Sequence, residues 1–323
     1  MAFANAAISD VIATTIQSRT GQIADNVTKN NAILYKLREQ GNVKPFGGGN
    51  VILQELSFQQ NGNAGWYSGY EALPIGAQDV ISAAQYDIKQ AACAITMSGL
   101  EMLQNSSKEQ IIDLMESRIK VGEATMQNLI AAGLYSDGTA NGGKQITGLL
   151  TAVSKTPTSG TYGGIDRQTW TFWQNQYSVG GSALTATTIQ AAMNALYAKC
   201  VRGADHIDLI MMDNAYWALY MASLQAIQRF TDSKLADLGF PTVKFMQADV
   251  VLDGGIGGFA PVSTMYMLNT KYLFLRPHRD RNFVPLDPSK RYSVNQDAVV
   301  QLLAWAGNLT VSGSQFQGVR ADA

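Results

Sequence analysis

Residues 106–133 read SSKEQIIDLMESRIKVGEATMQNLIAAG, and this stretch sets the architecture. Ile111, Leu114, Met115, Ile119, Met126, Leu129 and Ile130 recur at helical spacing, while Lys108, Asp113, Glu116, Lys120 and Glu123 fall largely off that stripe. Ser106 or Asn105 is placed to cap the start, and Glu109 follows Ser106 at capping-box spacing. Gly133 is available to end the helix, and Asp137-Gly138 follows as a turn. About 26 residues at roughly 1.5 Å each give a rod of about 40 Å. The element reads as a spine.

Upstream of the spine, residues 1–49 look like an arm with too few large apolar groups to fold alone. Ala6, Ala7, Ile8, Val11, Ile12, Thr15 and Ile16 recur at helical spacing. A second weakly helical stretch, Asn31 to Gln40, ends at Gly41. After Gly47-Gly48-Gly49 a strand pattern runs from Asn50 to Phe58. Alternation resumes near Ile81, with Ala84, Tyr86 and Ile88 on one face and Gln85, Asp87 and Lys89 on the other. Between the two lies a glycine-rich, aromatic tip that holds Trp66, Tyr67 and Tyr70. Irregular connections this long are commonly functional, and disordered segments are usually poor in aromatics. The segment reads as a long hairpin-like excursion.

Downstream, a Gly/Thr/Ser/Pro-rich connection (Gly148 to Gly164) leads into α/β material over residues 185–310. Thr185 to Arg202 reads as a helix closed by Gly203. Ile207 to Met212 reads as a buried strand, and Asp213 caps a helix from Ala215 to Ala226. Strands are expected at Val243–Val251, Thr264–Asn269, Tyr272–Leu275 and Ala298–Ala304. No internal repeat is evident.

Only 15% of the side chains are charged, where about 25% is typical. With 46% hydrophobic residues the chain has material for a sizeable core, and its surface is filled with amides, hydroxyls and glycine. That suits a subunit covered by neighbours over much of its area. A formal charge of −1, split −3 and +2 between residues 1–150 and 151–323, argues against a dedicated DNA-binding domain. No apolar run approaches a membrane span, and Asp10 and Arg19 do not fit a secretory signal. With Cys93 and Cys200 alone there is no disulfide framework, and a reducing compartment fits.

Catalytic chemistry lacks raw material. Gly138 to Lys144 has phosphate-loop spacing, but Gln145 stands where Ser or Thr would hold magnesium, and the loop follows a helix rather than a strand. A nucleotide-binding protein or α/β enzyme using this loop is the alternative function. Gly254 to Gly258 lacks the dinucleotide order and reads as a loop between strands. His206 and His278 show no paired-ligand spacing with the cysteines, and Cys93 reads as a small buried hydrophobe. No cofactor or metal is expected. A basic cluster remains: Arg276, His278, Arg279, Arg281, Lys290 and Arg291 against Asp280 and Asp287. It suits contacts with a neighbouring subunit, or with a polyanion such as packaged nucleic acid.

Ordered blocks along the chain resemble major capsid proteins of tailed bacteriophages, with the Hong Kong 97-like fold. They are Asn31–Leu37 with Gly41-Asn42-Val43, Tyr67-Ser68-Gly69-Tyr70, and Ser98 to Asn105 ahead of the spine. Leu134 to Thr139, Gly163 to Arg167, and Val294 to Ala298 leading to Trp305–Thr310 complete the series. The resemblance implies an α+β fold in five parts: an N-terminal arm (1–49), an extended loop (50–92), a peripheral domain (93–149) with the spine at 106–132, an axial domain (mainly 150–270), and a return to the peripheral domain (271–323). It implies a structural, non-enzymatic subunit that partners itself in hexamers and pentamers of an icosahedral head, found in host cytoplasm and then in the virion. Scaffolding protein or a removed segment, portal and decoration proteins, and non-specific contact with packaged DNA are implied as well; a membrane is not. Residues 50–88 contain no lysine, so the loop-lysine crosslink of some relatives is not expected. The candidate contact residues are Trp66, Tyr67 and Tyr70 at the loop tip, with Arg276, Arg279, Arg281 and Arg291.

Overall fold

The computed structural model describes residues 31–104, 108–180, 183–224, 242–254, 258–286 and 297–322. The expected helix over 6–16, the Asn105/Ser106 cap, Arg291 and most of the Gly254–Gly258 loop lie outside them.

Helix α1 (Ala32–Glu39) starts at Asn31, whose side chain accepts from the Ile33 and Leu34 amides, and buries Ile33, Leu34 and Leu37. Strands β1 (Val51–Ser57) and β2 (Ile81–Asp87) pair antiparallel as the stem of the long excursion. Strand β3 (Lys89–Ser98) leads through α2 (Gly99–Gln104) into the spine, α3 (Lys108–Leu134). Ile119, Met126, Ile130 and Leu134 bury the helix on β3, with Gly122 close under Ile95.

The spine departs from its expected pattern in three places. Gly133 does not end the helix, which continues to Leu134; a side chain at 133 would press on Ile146, so this glycine serves close packing. Glu123 is buried and Leu129 is exposed, because a 3.6-residue period carries the buried face through positions 119, 123, 126 and 130.

Short strands β4 (Thr161–Tyr162) and β5 (Ile165–Asp166) form a small hairpin across the end of the glycine-rich connection. A six-stranded sheet follows, in the order β6-β13-β10-β7-β9-β8. Its strands are β6 (Gln176–Gly180), β7 (Leu209–Met212), β8 (Thr242–Phe245), β9 (Ala248–Leu252), β10 (Thr264–Leu268) and β13 (Gly318–Asp322). Helices α4 (Ile189–Cys200) and α5 (Asn214–Ser223) cover one face. Side chains alternate across the sheet: Ile210, Met212, Met265 and Met267 join that helical core, while Leu209, Met211, Tyr266 and Leu268 join the core shared with the spine and stem. The third sheet orders β11 (Leu273–Leu286), β12 (Ala298–Val311) and β3, all antiparallel.

Several expected boundaries move. Helix α4 begins at Ile189 rather than Thr185, since Thr185, Thr187 and Thr188 hydrogen-bond among themselves in a turn. The single strand expected at 243–251 is the β8–β9 hairpin, turned at Met246 with φ +53°. Asp213 does cap α5, accepting from the Tyr216 amide at 3.0 Å. β11 and β12 run well past the stretches expected for them, and β6 and β13 were not anticipated.

Candidate assembly surface

The stem of the excursion is fixed to the body. Ile52, Leu56, Ala84 and Tyr86 turn their side chains into the core. The Tyr86 hydroxyl donates to the Val311 carbonyl at 3.1 Å, and burial pushes its pKa far up, so it stays a neutral donor. The Gln85 amide donates to the Gly163 carbonyl at 2.8 Å, tying β2 to the β4–β5 hairpin. Phe58, at the stem's end, packs on Phe172 and Trp170 with ring centroids 5.8 and 5.9 Å away. This aromatic footing was not picked out from sequence; the W-x-F-W run at 170–173 was its only signal.

Beyond Phe58 the chain makes local turns and little else. Asn61 accepts from the Asn63 and Ala64 amides, and Glu71 and Ser68 bond reciprocally through backbone and carboxylate. Trp66 and Tyr70 are fully exposed, at 104% and 107%, and Tyr67 is 67% exposed. Leu73, Ile75 and Ile81 extend the apolar surface. Six large apolar side chains are thus exposed on one excursion.

The basic residues come together on β11. Pro277 pairs with Gly307 and Asn282 with Trp305, so His278, Arg279, Asp280 and Arg281 stand opposite Ala306 alone. A further residue, Phe283 with φ +58°, is extruded before Val284 pairs with Ala304. This large bulge turns Arg279, Asp280 and Arg281 outward. The segment after α1 supports its outer edge. The Phe46 amide donates to Pro277, and the Arg279 amide donates to Phe46 at 2.9 Å. The Phe46 ring meets the His278 ring edge-on at 5.0 Å. Arg276 is half-buried, and its Nε has no hydrogen-bond acceptor among the described residues. Arg276, Arg279 and Arg281 thus share one strand, whereas Trp66, Tyr67 and Tyr70 share the loop.

The Gly138–Lys144 segment follows the spine as a tight turn with positive φ at Asn141, Gly142 and Gly143. Lys89 donates to its Gly143 carbonyl at 2.7 Å. A phosphate loop needs a strand before it and a helix after it, and this segment has the spine before it.

The described architecture is similar to solved phage capsid structures. A cyanophage A-1(L) capsid chain superposes with a TM-score of 0.62 at 16% identity, covering 87% of this chain and 90% of that one. The capsid of a native GTA particle gives 0.57 at 14% identity, with 89% of each chain covered. The satellite phage P4 procapsid, whose structure includes the size determination (Sid) protein, gives 0.51 at 12% identity over 94% and 91%. No protein-family model and no curated protein matches the chain. The chain therefore has the Hong Kong 97-like fold of tailed-phage capsid proteins.

Proposed function

We propose that this chain is the major capsid protein of a tailed phage, building hexamers and pentamers of an icosahedral head around double-stranded DNA. The observation that carries this reading is a capsid fold shared over about nine tenths of both chains, on a subunit whose aromatic loop is unburied within itself. The role is geometric rather than catalytic. Each large aromatic ring can bury roughly 150–250 Å², a gross gain of about 4–6 kcal/mol at ~25 cal/mol/Å². Summed around a ring and over a shell, contacts that are weak singly become strong together.

In this reading residues 1–49 are the arm, 50–92 the extended loop, 93–149 the core of the peripheral domain, 150–270 most of the axial domain, and 271–323 the return. The last strand, β13, pairs within the six-stranded sheet and so joins the axial part. A scaffolding protein, a portal and decoration proteins are its expected partners; the P4 procapsid with its Sid protein is a precedent for an accessory component. The chain resides in host cytoplasm until it enters the virion.

The test is negative-stain electron microscopy of the sedimentable fraction from cells expressing the chain, with and without a co-expressed scaffold. Closed shells, or rings of five and six, are expected. The triple variant Trp66→Ala, Tyr67→Ala, Tyr70→Ala should keep the circular dichroism and melting temperature of the parent while losing most particles. Normal particles from that variant would remove the loop tip from assembly.

A further inference from the structure

A cleft of about 530 Å³ opens where the stem meets the turns that follow α4 and β12, lined by no residue of the loop tip or the β11 bulge. Small-molecule sites usually span about 300–1,000 Å³. Glu55 and Ser57 stand two apart on β1 and so face the same way. A second wall comes from the turn after α4. Arg202 and Asp205 exchange both backbone hydrogen bonds at 3.0 Å, and Gly203, with φ +61°, makes the corner between them. Residues paired in this way carry their side chains on one side. Asp205 is already engaged, accepting from Lys271 Nζ at 2.6 Å and from the Tyr272 hydroxyl at 2.7 Å, which hold its carboxyl below the ordinary range. Neither Arg202 nor Glu55 forms an ion pair among the described residues. The side chains of Ser57, Ser312 and Gln315 make no hydrogen bond there either. Aromatic rings complete the lining. Tyr272 stacks on Phe316 with centroids 4.6 Å apart and planes 13° from parallel, and Phe172 is half-buried beside the stem. Gly313 permits that stack, since a Cβ there would lie 2.9 Å from the Phe316 ring and 3.0 Å from Tyr272.

These groups decide the class of ligand. A phosphate would meet Arg202 but also the carboxylates of Glu55 and Asp205. An apolar ligand would strand hydrogen-bonding groups of both signs. A neutral, hydroxyl-rich ring serves them all: its hydroxyls accept from Arg202 and donate to Glu55, and its C–H face packs on an aromatic ring. We propose that this cleft is a saccharide site that takes a short neutral oligosaccharide, with Arg202 and Glu55 as its principal polar contacts. The site lies within one copy and stands apart from the capsid reading. Its use rests on that reading: a weak sugar contact repeated over many subunits of one particle becomes a strong one.

The test titrates the full-length subunit with maltotriose, cellotriose and triacetylchitotriose, read by saturation-transfer difference NMR and calorimetry. At least one of these probes should bind with a millimolar or tighter dissociation constant. Arg202→Ala and Glu55→Ala should each weaken that binding at least tenfold while circular dichroism and melting temperature stay parental. No binding by any of the probes, or binding that survives both substitutions, overturns the proposal. Should Arg202→Ala lower the melting temperature, Arg202→Lys keeps the charge without the planar fork. It should still weaken binding at parental stability, and unchanged affinity there overturns the proposal equally. ADP or glycylglycine bound in place of the sugars would assign the cleft to an anionic or zwitterionic ligand instead, and the saccharide site would fall.

A second arm separates free sugar from polymer as the source. Particles retained on amylose, cellulose or chitin beads and released by the matching trisaccharide would assign the site to a polysaccharide. Particles that pass the beads, from subunits that bind the trisaccharide, would assign it to a soluble sugar. The subunit titration needs no shell, so a failure of the capsid reading and a failure of the saccharide site are told apart.

Discussion

Asn308 is fully buried in β12, and both ends of its amide are used. Its Oδ1 accepts from the Thr147 amide at 3.0 Å and from the Leu309 amide at 2.9 Å, and its Nδ2 donates to the Asp87 carbonyl at 2.9 Å. One side chain thus ties the central strand to the stem and to the connection after the spine. Asn308→Ala leaves those groups dry and unpaired and should cost about 2–3 kcal/mol, read as a lower urea midpoint with unchanged slope. Its neighbour Gly307 has no room for a methyl group: a Cβ there would lie 2.6 Å from the Arg276 carbonyl and 2.8 Å from the Trp305 ring. Gly307→Ala should therefore destabilise by about 1–3 kcal/mol, and it should also distort the bulge. Both residues were visible in sequence as part of the Trp305–Thr310 block. Their reasons were not, because Asn308 depends on partners more than a hundred positions away and Gly307 on the register of the neighbouring strand β11.

Among the elements, α1 is held against the six-stranded sheet by two polar contacts, one part-buried and one exposed. Lys36 Nζ lies 2.9 Å from Asp249, which is nearly inaccessible, and Gln40 donates to Asp208. Burial alone would lower the Lys36 pKa, but the hydrogen bond and charge of Asp249 outweigh it and hold the amine charged. Lys36→Met leaves a buried carboxylate short of its partner and should cost about 3 kcal/mol, at the low end because Lys244 remains at 3.9 Å. Asp208 behaves in the opposite sense from a surface acid. Desolvation pushes its carboxyl up, only partly offset by hydrogen bonds from Thr270. The folded state then holds a proton that the unfolded chain has released, so this group's contribution falls as pH rises from the ordinary carboxylate range through the raised value. Asp253, beside Tyr135, shifts the same way for the same first cause. Across that window the urea midpoint of Asp208→Asn should rise relative to the parent's as pH increases, and adding Asp253→Asn should make that relative rise steeper. The spine and α4 were legible at this scale because their stripes persist over three or more turns. β11 was legible only at its start, because Pro277, Pro285 and four charged residues interrupt its apolar pattern, and the bulge takes three of those charges outward.

For the whole molecule, the order of stem strands, spine helix and α/β sheet could be read from strand alternation, the helical stripe and the glycines that punctuate them. The β11 bulge could not, since it exists only in the register between residues 278–281 and Ala306. The exposed loop makes a direct prediction. Chymotrypsin should cut the free subunit first within residues 58–80, and assembly should slow that cut at least tenfold, as followed by mass spectrometry of the fragments. The six-stranded sheet carries a different consequence. Among the described residues β6 is joined to it only through β13, which pairs in parallel with β6 on one side and antiparallel with β10 on the other. On the ribosome, residues 176–180 must wait for 318–322 before that edge can close, a delay of some 140 codons. Translation order thereby acts as a clock. A nascent chain cannot close this edge of the sheet until residues 318–322 have been made, so β6 lacks its partner strand throughout that interval.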